Sequence, residues 1–273
     1  MRRSPFLVYL AKVLFIVLSF FPFFWTFLSS CKPGSQLFQV NPPFWPQPFT
    51  WENYRAIFWE RSFYLNIINS LVVAGATTFI CVVLGSLAAY GLARFRFRGK
   101  IAILSFILVV SLFPPVALVS PLFLLFEQAR LINTYLALIL PYLTFALPLT
   151  VWLLTAFFRQ IPFELEEAAR LDGAWPMRIL WEVTLPLAAP GIFTTAILTF
   201  IYCWNEFLFA LAFTTNDTSR TIPVAIVMFS GYHTVPWGQI LAAVTVVTVP
   251  VAVLVLVLQR RIISGLTAGA VKG

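Results

Sequence analysis

The chain alternates between long apolar stretches and short polar segments. Six stretches are close to the length that a helix needs to cross a bilayer, and they lie at residues 6–29, 64–92, 101–126, 134–158, 188–213 and 237–259. This pattern predicts an all-α polytopic membrane protein with six transmembrane helices, forming one domain over residues 1–273. The first stretch is too long for a cleaved signal peptide and no small-residue cleavage site follows it, so we expect it to be retained.

The most polar segment, residues 161–190, lies between the fourth and fifth apolar stretches. Pro162 suits the first turn of a helix, the acidic residues after it suit the positive end of a helix dipole, and Gly173 supplies a stop. A second short helix, at about 175–183, should end before Leu185-Pro186. A helix–turn–helix held between two spans predicts a contact with something in the water phase.

Composition and charge support the membrane assignment and give it an orientation. Hydrophobic residues make up 60% of the chain and charged residues only 10%, which is outside the range of ordinary soluble domains. With the N-terminus inside, most of the 18 lysines and arginines fall in inner segments, as the positive-inside rule requires. We therefore expect a multi-pass protein of the cell membrane with both termini in the cytoplasm. Its net charge of +8 needs no nucleic-acid partner.

Two outer segments are too polar or too short to cross the bilayer. Residues 31–62 contain a proline-rich, aromatic strap, and residues 216–236 contain a brief apolar run that suits a re-entrant or interfacial helix.

Residues for bond-making chemistry are scarce. His233 is the only histidine, and the cysteines Cys31, Cys81 and Cys203 are scattered without metal-ligand spacing. The chain also has no GxxxxGK[ST] loop. We expect no catalytic residue, metal or cofactor on this chain, so any ATP and Mg would be bound by another polypeptide.

One spaced motif carries a family resemblance. Within residues 161–190 it consists of Glu167-Ala168-Ala169, three residues, Gly173, nine residues, then Val183, Thr184 and Leu185-Pro186. It resembles the "EAA" signature of permease subunits of binding-protein-dependent ABC importers, departing only in Val183 for an isoleucine. The C-terminal residues 265–273 and the Trp204-Asn205-Glu206-Phe207 segment are similar to the sugar-importing branch, particularly the second permease of maltose and trehalose systems.

The resemblance implies a fold, partners and two contact segments. The fold would be that of a type I ABC importer permease, working by alternating access with a second, different permease subunit, two ATPase subunits and an extracytoplasmic sugar-binding protein. The hairpin would be the coupling element that docks on an ATPase, through Glu164, Glu166, Glu167, Ala168, Ala169, Arg170, Asp172 and Gly173. The cytoplasmic tail 260–273 would be a flexible second contact, through Gly265, Leu266, Thr267, Ala268, Gly269 and Lys272.

A substrate path or gate is expected around Glu206, the only acidic residue inside a predicted span. With Trp204 and Asn205 beside it, Glu206 could hold sugar hydroxyls, or it could make a helix-packing or gate hydrogen bond. Tyr202 has a similar but weaker claim. Asn66 and Asn69, at the start of the second span, could face the path or hold helices together.

An ion-gradient-driven secondary carrier is the alternative function. It would need intramembrane ionisable groups for coupling, and Glu206 alone is thin support. Maltose, trehalose or a related oligosaccharide is the substrate that the resemblance favours.

Overall fold

The computed structural model describes residues 5–230 and 235–270, and these ranges contain helices but no strand. The all-α prediction is therefore confirmed for the described residues. In chain order the helices are α1 (Pro5–Ser30), α2 (Gly34–Leu37), α3 (Glu52–Arg55), α4 (Phe63–Arg94), α5 (Lys100–Ser111), α6 (Val116–Gln128), α7 (Tyr135–Gln160), α8 (Phe163–Leu171), α9 (Pro176–Ile179), α10 (Leu185–Leu187), α11 (Ala189–Trp204), α12 (Leu208–Phe213), α13 (Ile222–Val227) and α14 (Trp237–Ala270). Two π-helical turns, Ala56–Glu60 and Leu180–Thr184, directly follow α3 and α9.

Three helices are long and apolar enough to cross a membrane by themselves, namely α1, α4 and α7. They cover the predicted spans 6–29, 64–92 and 134–158 to within a few residues. Two further candidates are bent pairs of helices. The axes of α5 and α6 meet at 87°, and the helical segment Pro176–Leu187 meets α11 at 81°. Length and composition therefore allow up to five spans among the described residues, and the apolar part of α14, Trp237–Val253, is shorter.

The third and fifth predicted spans are not single helices, because each is interrupted by a break. Between α5 and α6 stand Pro114 and Pro115, which lack an N–H and push the preceding residue out of the helical region. The stretch 188–213 is interrupted between Trp204 and Leu208, where α11 ends and α12 begins. A window of apolar residues does not reveal such breaks, because hydropathy averages over them.

The contacts divide the chain into two compact units. One consists of Met1–Ile67 and Val224–Pro250, and the other of Ile68–Pro223 and Val251–Gly273. The expectation of a single domain over 1–273 stays a prediction.

In the first unit, side chains from α3 hold the proline-rich strap against the end of α1. The Asn53 amide donates to the carbonyl oxygens of Ser30 at 2.8 Å and Lys32 at 3.0 Å. The Lys32 ammonium is buried and lies 4.4 Å from the centre of the Trp25 ring, a cation–π contact. Cys31 is buried here as a free thiol. The strap thus forms an ordered cap on the C-terminal end of α1.

The second unit is built around α7, which contacts α5, α11 and α12. Thr150 of α7 and Thr199 of α11 share a buried hydrogen bond of 2.9 Å. Small residues allow the helices to approach closely, since a side chain at Gly191 of α11 would overlap the ring of Phe157. Two further cysteines of this unit are also buried and free.

Substituting Gly191 with alanine should therefore destabilise the protein by about 1–3 kcal/mol, because the added methyl group over-packs the α7–α11 contact. Gly91→Ala is the matched control, since no atom lies within 4 Å of the methyl group that it adds. The thermal midpoint of the detergent-solubilised protein should fall for Gly191→Ala and hold or rise for Gly91→Ala. Equal midpoints for both variants would contradict the close contact.

Candidate functional site

The segment 161–190 forms the predicted helix–turn–helix. Helix α8 starts immediately after Pro162 and ends at Leu171, and Gly173 then adopts a φ of +84°, which an L side chain adopts only with strain. The N–H of Ala174 donates to the Ala169 carbonyl at 2.9 Å and closes the turn. Four residues, 172–175, connect the two helices, and α9 begins at Pro176.

The second helix of the hairpin runs further than we predicted. We expected it to end before Leu185-Pro186, but the helical path continues through the π turn Leu180–Thr184 and α10 to Leu187. Pro186 lies in the first turn of α10, where a missing N–H costs little. The bend toward α11 comes instead at Ala188.

The side chain of Glu166 is buried inside the protein. Its Oε1 atom accepts hydrogen bonds from Nε of Arg94 at 2.7 Å and from the hydroxyl of Thr184 at 2.9 Å, and the Tyr90 hydroxyl donates to Oε2 at 3.4 Å. Arg94 also donates to the carbonyl oxygen of Ile161 at 3.1 Å. We expected Glu166 to belong to the polar face of the hairpin that contacts an ATPase. This expectation is wrong, because the side chain is buried and its carboxylate accepts hydrogen bonds from Arg94, Thr184 and Tyr90.

An apolar cluster lies beside the Arg94–Glu166 joint, which is the buried ion pair together with its hydrogen bonds to Tyr90 and Thr184. The buried side chains Ala89, Tyr90, Leu154, Phe158, Leu180 and Ala188 come from α4, α7 and the second half of the hairpin. Hydrogen bonds and apolar packing therefore tie the hairpin to two long helices at once. A displacement of the hairpin would be transmitted to both.

The outward face of the hairpin is a mixture of charge and apolar surface. Glu164, Glu167, Ala168, Arg170, Asp172 and Gly173 are exposed, and Ala169 is half-buried. This face also carries the large apolar side chains Leu171, Trp175 and Met177, which we did not predict from the sequence. Leu171 is 89% and Trp175 63% exposed. Their position around a tight turn in a polar segment is the signal that could have identified them. Exposed side chains of this kind mark a contact surface for another protein.

The break between α11 and α12 forms a second candidate site. Oε1 of Glu206 accepts from the N–H of Phe209 at 2.9 Å, and Oε2 accepts from that of Ala210 at 3.2 Å. The carboxylate thus caps α12. A cavity of about 480 Å³ opens here, lined by Pro115, Ile201, Tyr202, Asn205, Glu206, Phe207, Leu208 and Phe209.

The structure brings together some of the predicted path residues and separates others. Tyr202, Asn205 and Glu206 line this cavity, whereas Trp204 is buried and stacks on Phe200 with ring centres 5.5 Å apart. Trp204 is therefore a packing residue, because it is buried against Phe200 and does not line the cavity.

Asn69 is a structural tie and does not line the cavity. Its amide donates to the carbonyl oxygens of Thr218 at 2.8 Å and Arg220 at 3.0 Å, and its oxygen accepts from the Tyr135 hydroxyl at 2.9 Å. Of the two roles that the sequence left open, holding the structure together is the one observed for Asn69. Asn66 is likewise buried.

A second asparagine holds the same outer segment. The side-chain oxygen of Asn133 accepts hydrogen bonds from the N–H of Thr215 at 2.7 Å and the hydroxyl of Ser219 at 2.9 Å. The outer segment 214–222 is thus fixed to the ends of α4 and α7. The helix that follows, α13, has six residues and is too short to cross a bilayer.

The C-terminal residues continue a helix. Gly265, Leu266, Thr267, Ala268 and Gly269 all lie in the helical backbone of α14, whereas we expected the last helical span to end at residue 259 and the tail to follow it. No proline interrupts the stretch and its two glycines each cost only about 1 kcal/mol, so the helix continues to Ala270. Lys272 lies outside the described residues.

Comparison with known proteins identifies the family. Residues 81–267 match the sequence profile of the binding-protein-dependent transport system inner membrane component. The chain is 46% identical over 254 residues to the trehalose transport system permease protein SugB of Mycobacterium tuberculosis, covering 92% of each protein. It is 40% identical over 275 residues to the trehalose/maltose transport system permease protein MalG of Thermococcus litoralis, covering 98% of this chain and 96% of the relative. The chain belongs to this family of ABC importer permeases.

A solved structure shows the same fold. One chain of a bacterial ABC transporter involved in the import of the acidic polysaccharide alginate superposes with a TM-score of 0.79 at 21% identity, covering 95% of this chain and 98% of that one. The predicted type I importer permease fold is therefore confirmed. Family membership gives no support to the alternative of an ion-gradient-driven carrier.

Removing one partner of the buried ion pair in this importer permease should be costly. Glu166→Ala leaves the Arg94 guanidinium, whose side chain is 5% exposed, without its carboxylate, and should lower the free energy of unfolding by about 3–5 kcal/mol. Arg178→Ala is the control, because it breaks the exposed Arg178–Glu182 pair of 2.8 Å on the same hairpin and should cost about 0–1 kcal/mol. Denaturation of the purified variants measures both, and similar small losses would show that Glu166 does not support the joint.

Proposed function

We propose that this chain is one of two permease subunits of an ABC importer for trehalose, maltose or a related oligosaccharide. The observation that carries the proposal is the identity of 46% and 40% to permeases of trehalose and trehalose/maltose transport systems, each over more than nine-tenths of both chains. A match that extends over whole chains relates the pathway-forming helices as well as the coupling hairpin. A second, different permease subunit would complete the wall of the pathway.

ATP hydrolysis would take place on separate ATPase subunits that hold ATP and Mg. The outward face of the hairpin supports this assignment, because Leu171 and Trp175 offer apolar anchors that are surrounded by the charges of Glu164, Glu167, Arg170 and Asp172. Such a centre of large side chains within a polar rim is typical of protein interfaces. The C-terminal end of α14, with the tail beyond it, is the second proposed contact.

The mechanism that we propose is alternating access. An extracytoplasmic sugar-binding protein would deliver the sugar to the outer side, where residues 31–62 and 216–236 would help to form its dock. ATP binding would move the ATPase subunits together, and the Arg94–Glu166 joint would pass that movement from the hairpin to α4. ATP binding shifts the equilibrium between two packings of the helices, because ATP favours one of them. This chain makes and breaks no covalent bond, and it would lie in the inner membrane with both termini in the cytoplasm.

The cavity at the α11–α12 break is the proposed substrate path or gate. Tyr202 and Asn205 present a hydroxyl and an amide beside the aromatic ring of Phe207, which suits hydrogen bonding and stacking with a sugar. Both oxygens of Glu206 already cap α12, so Glu206 would act on the shape of the break.

Truncating the hairpin's apolar anchors should release the ATPase. Trp175→Ala and Leu171→Ala each remove an exposed side chain, so folding should be unaffected while ATPase binding weakens by about 2 kcal/mol, or roughly 30-fold. Trp59→Ala, which removes a tryptophan that is 78% exposed in the segment 31–62, is the matched control. Co-purification of a tagged permease with its ATPase measures the effect. Retention of the ATPase by both hairpin variants would remove the hairpin from the interface.

Substrate choice is tested by the ATPase activity of the reconstituted complex. The binding protein loaded with trehalose or maltose should stimulate hydrolysis, whereas the binding protein without sugar should not. Stimulation only by a different class of solute would overturn the sugar assignment and leave the coupling assignment intact. Failure to recover any ATPase chain with the permease would overturn both.

A further inference from the structure

A second cavity lies at the start of α5. It measures about 360 Å³ and is lined by Arg96, Phe97, Gly99, Lys100, Ile101 and Ala102. Burial, and then the positive charge of Arg159 at the end of α7, lower the pKa of the Lys100 ammonium. Positive charge is therefore concentrated around a single concave surface.

No aspartate or glutamate within the described residues pairs with these cations. All ten aspartate and glutamate side chains lie in the described ranges, and the ion pairs they form there are with Arg94, Arg178 and Arg220. The side chains of Arg96, Lys100 and Arg159 make no hydrogen bond or ion pair within the ranges 5–230 and 235–270. Like charges held together without a counter-charge raise the energy of the fold, and a bound anion would lower it.

The backbone at the cavity also favours an anion. Gly99 precedes α5 in a left-handed conformation, with a φ of +91°, and no side chain caps the helix. The first backbone hydrogen bond of α5 is donated by the N–H of Ile103 to the Gly99 carbonyl at 2.9 Å. The earlier amides, those of Lys100, Ile101 and Ala102, belong to residues that line the cavity. Free N–H groups and the positive end of the helix dipole add to the charge of the two side chains.

The surroundings of the cavity are apolar and open. Ile101 is 80% exposed, Phe97 is also exposed, and none of the twelve residues of α5 is buried. Apart from Lys100 and its two serines, α5 consists of apolar residues. A basic cavity at the end of an exposed apolar helix matches a molecule with an anionic head and apolar chains.

We propose that Arg96 and Lys100, with the free amides at the start of α5, form a binding site for the phosphate headgroup of an anionic phospholipid, whose acyl chains lie along α5. Basic pockets at the membrane surface bind anionic lipid headgroups in this way.

The test compares two spin-labelled lipids on the full-length chain in phosphatidylcholine nanodiscs. The wild-type protein should immobilise spin-labelled phosphatidylglycerol in preference to spin-labelled phosphatidylcholine. Lys100→Gln and Arg96→Gln should each lower that preference about fivefold, and Lys100→Arg should keep it. Arg98→Gln is the matched control, because it removes a cation from the same loop that does not line the cavity.

Three results would overturn the proposal. The absence of any preference in the wild-type protein would show that no such site exists. An equal loss for Arg98→Gln would show that the preference arises from the summed charge of the loop. Displacement of the labelled phosphatidylglycerol by inorganic phosphate, but not by chloride at equal ionic strength, would identify a site for free phosphate instead. Equal thermal midpoints across the variants exclude unfolding as the cause of any change.

Discussion

The ion pair between Arg94 and Glu166 is the contact on which the organisation of the hairpin depends. It joins the end of α4 to α8, and its two partners also reach Ile161 and Thr184, so both arms of the hairpin converge on one carboxylate. Burying two charges costs desolvation free energy, and this cost is offset here because the carboxylate accepts three hydrogen bonds. A pair of this kind requires one geometry, since a displaced partner leaves a buried charge uncompensated. The hairpin is therefore held to α4 at a defined angle.

The hairpin separates its two tasks between its two faces. The inward face carries Glu166 and the apolar side chains Ile179 and Leu180, which fasten it to the membrane helices. The outward face keeps Glu167, Leu171 and Trp175 free. Because the fastening uses none of the outward side chains, a partner can bind them without competing with the fold. At the outer side, Asn69 and Asn133 hold the segment 214–222 in a comparable manner, by hydrogen bonds to its backbone.

Hydropathy and turn chemistry were sufficient to predict much of this architecture. Helices α1, α4 and α7 follow long, nearly uninterrupted apolar runs, and the hairpin follows from Pro162, the acidic first turn and Gly173. The direction of Glu166 could not be predicted, because its partner Arg94 is 72 residues away and only the folded chain brings them together. The same applies to Asn69, whose contacts lie about 150 residues further along. The break between α5 and α6 lies at Pro114 and Pro115, where the sequence already indicates an irregular helix, whereas the break near Asn205 depends on local backbone geometry, to which an average over apolar residues is insensitive.

The burial of all three cysteines has a practical consequence. Cys31, Cys81 and Cys203 are free thiols with no access to the surrounding solution. Water-borne maleimides would therefore find no native target on the folded permease, which already serves as its own unreactive background. A single cysteine introduced in the hairpin at Arg178, an exposed side chain outside the apolar anchors, would carry a fluorophore or spin label without prior removal of the native thiols. The proposed movement of the hairpin could then be followed directly during transport.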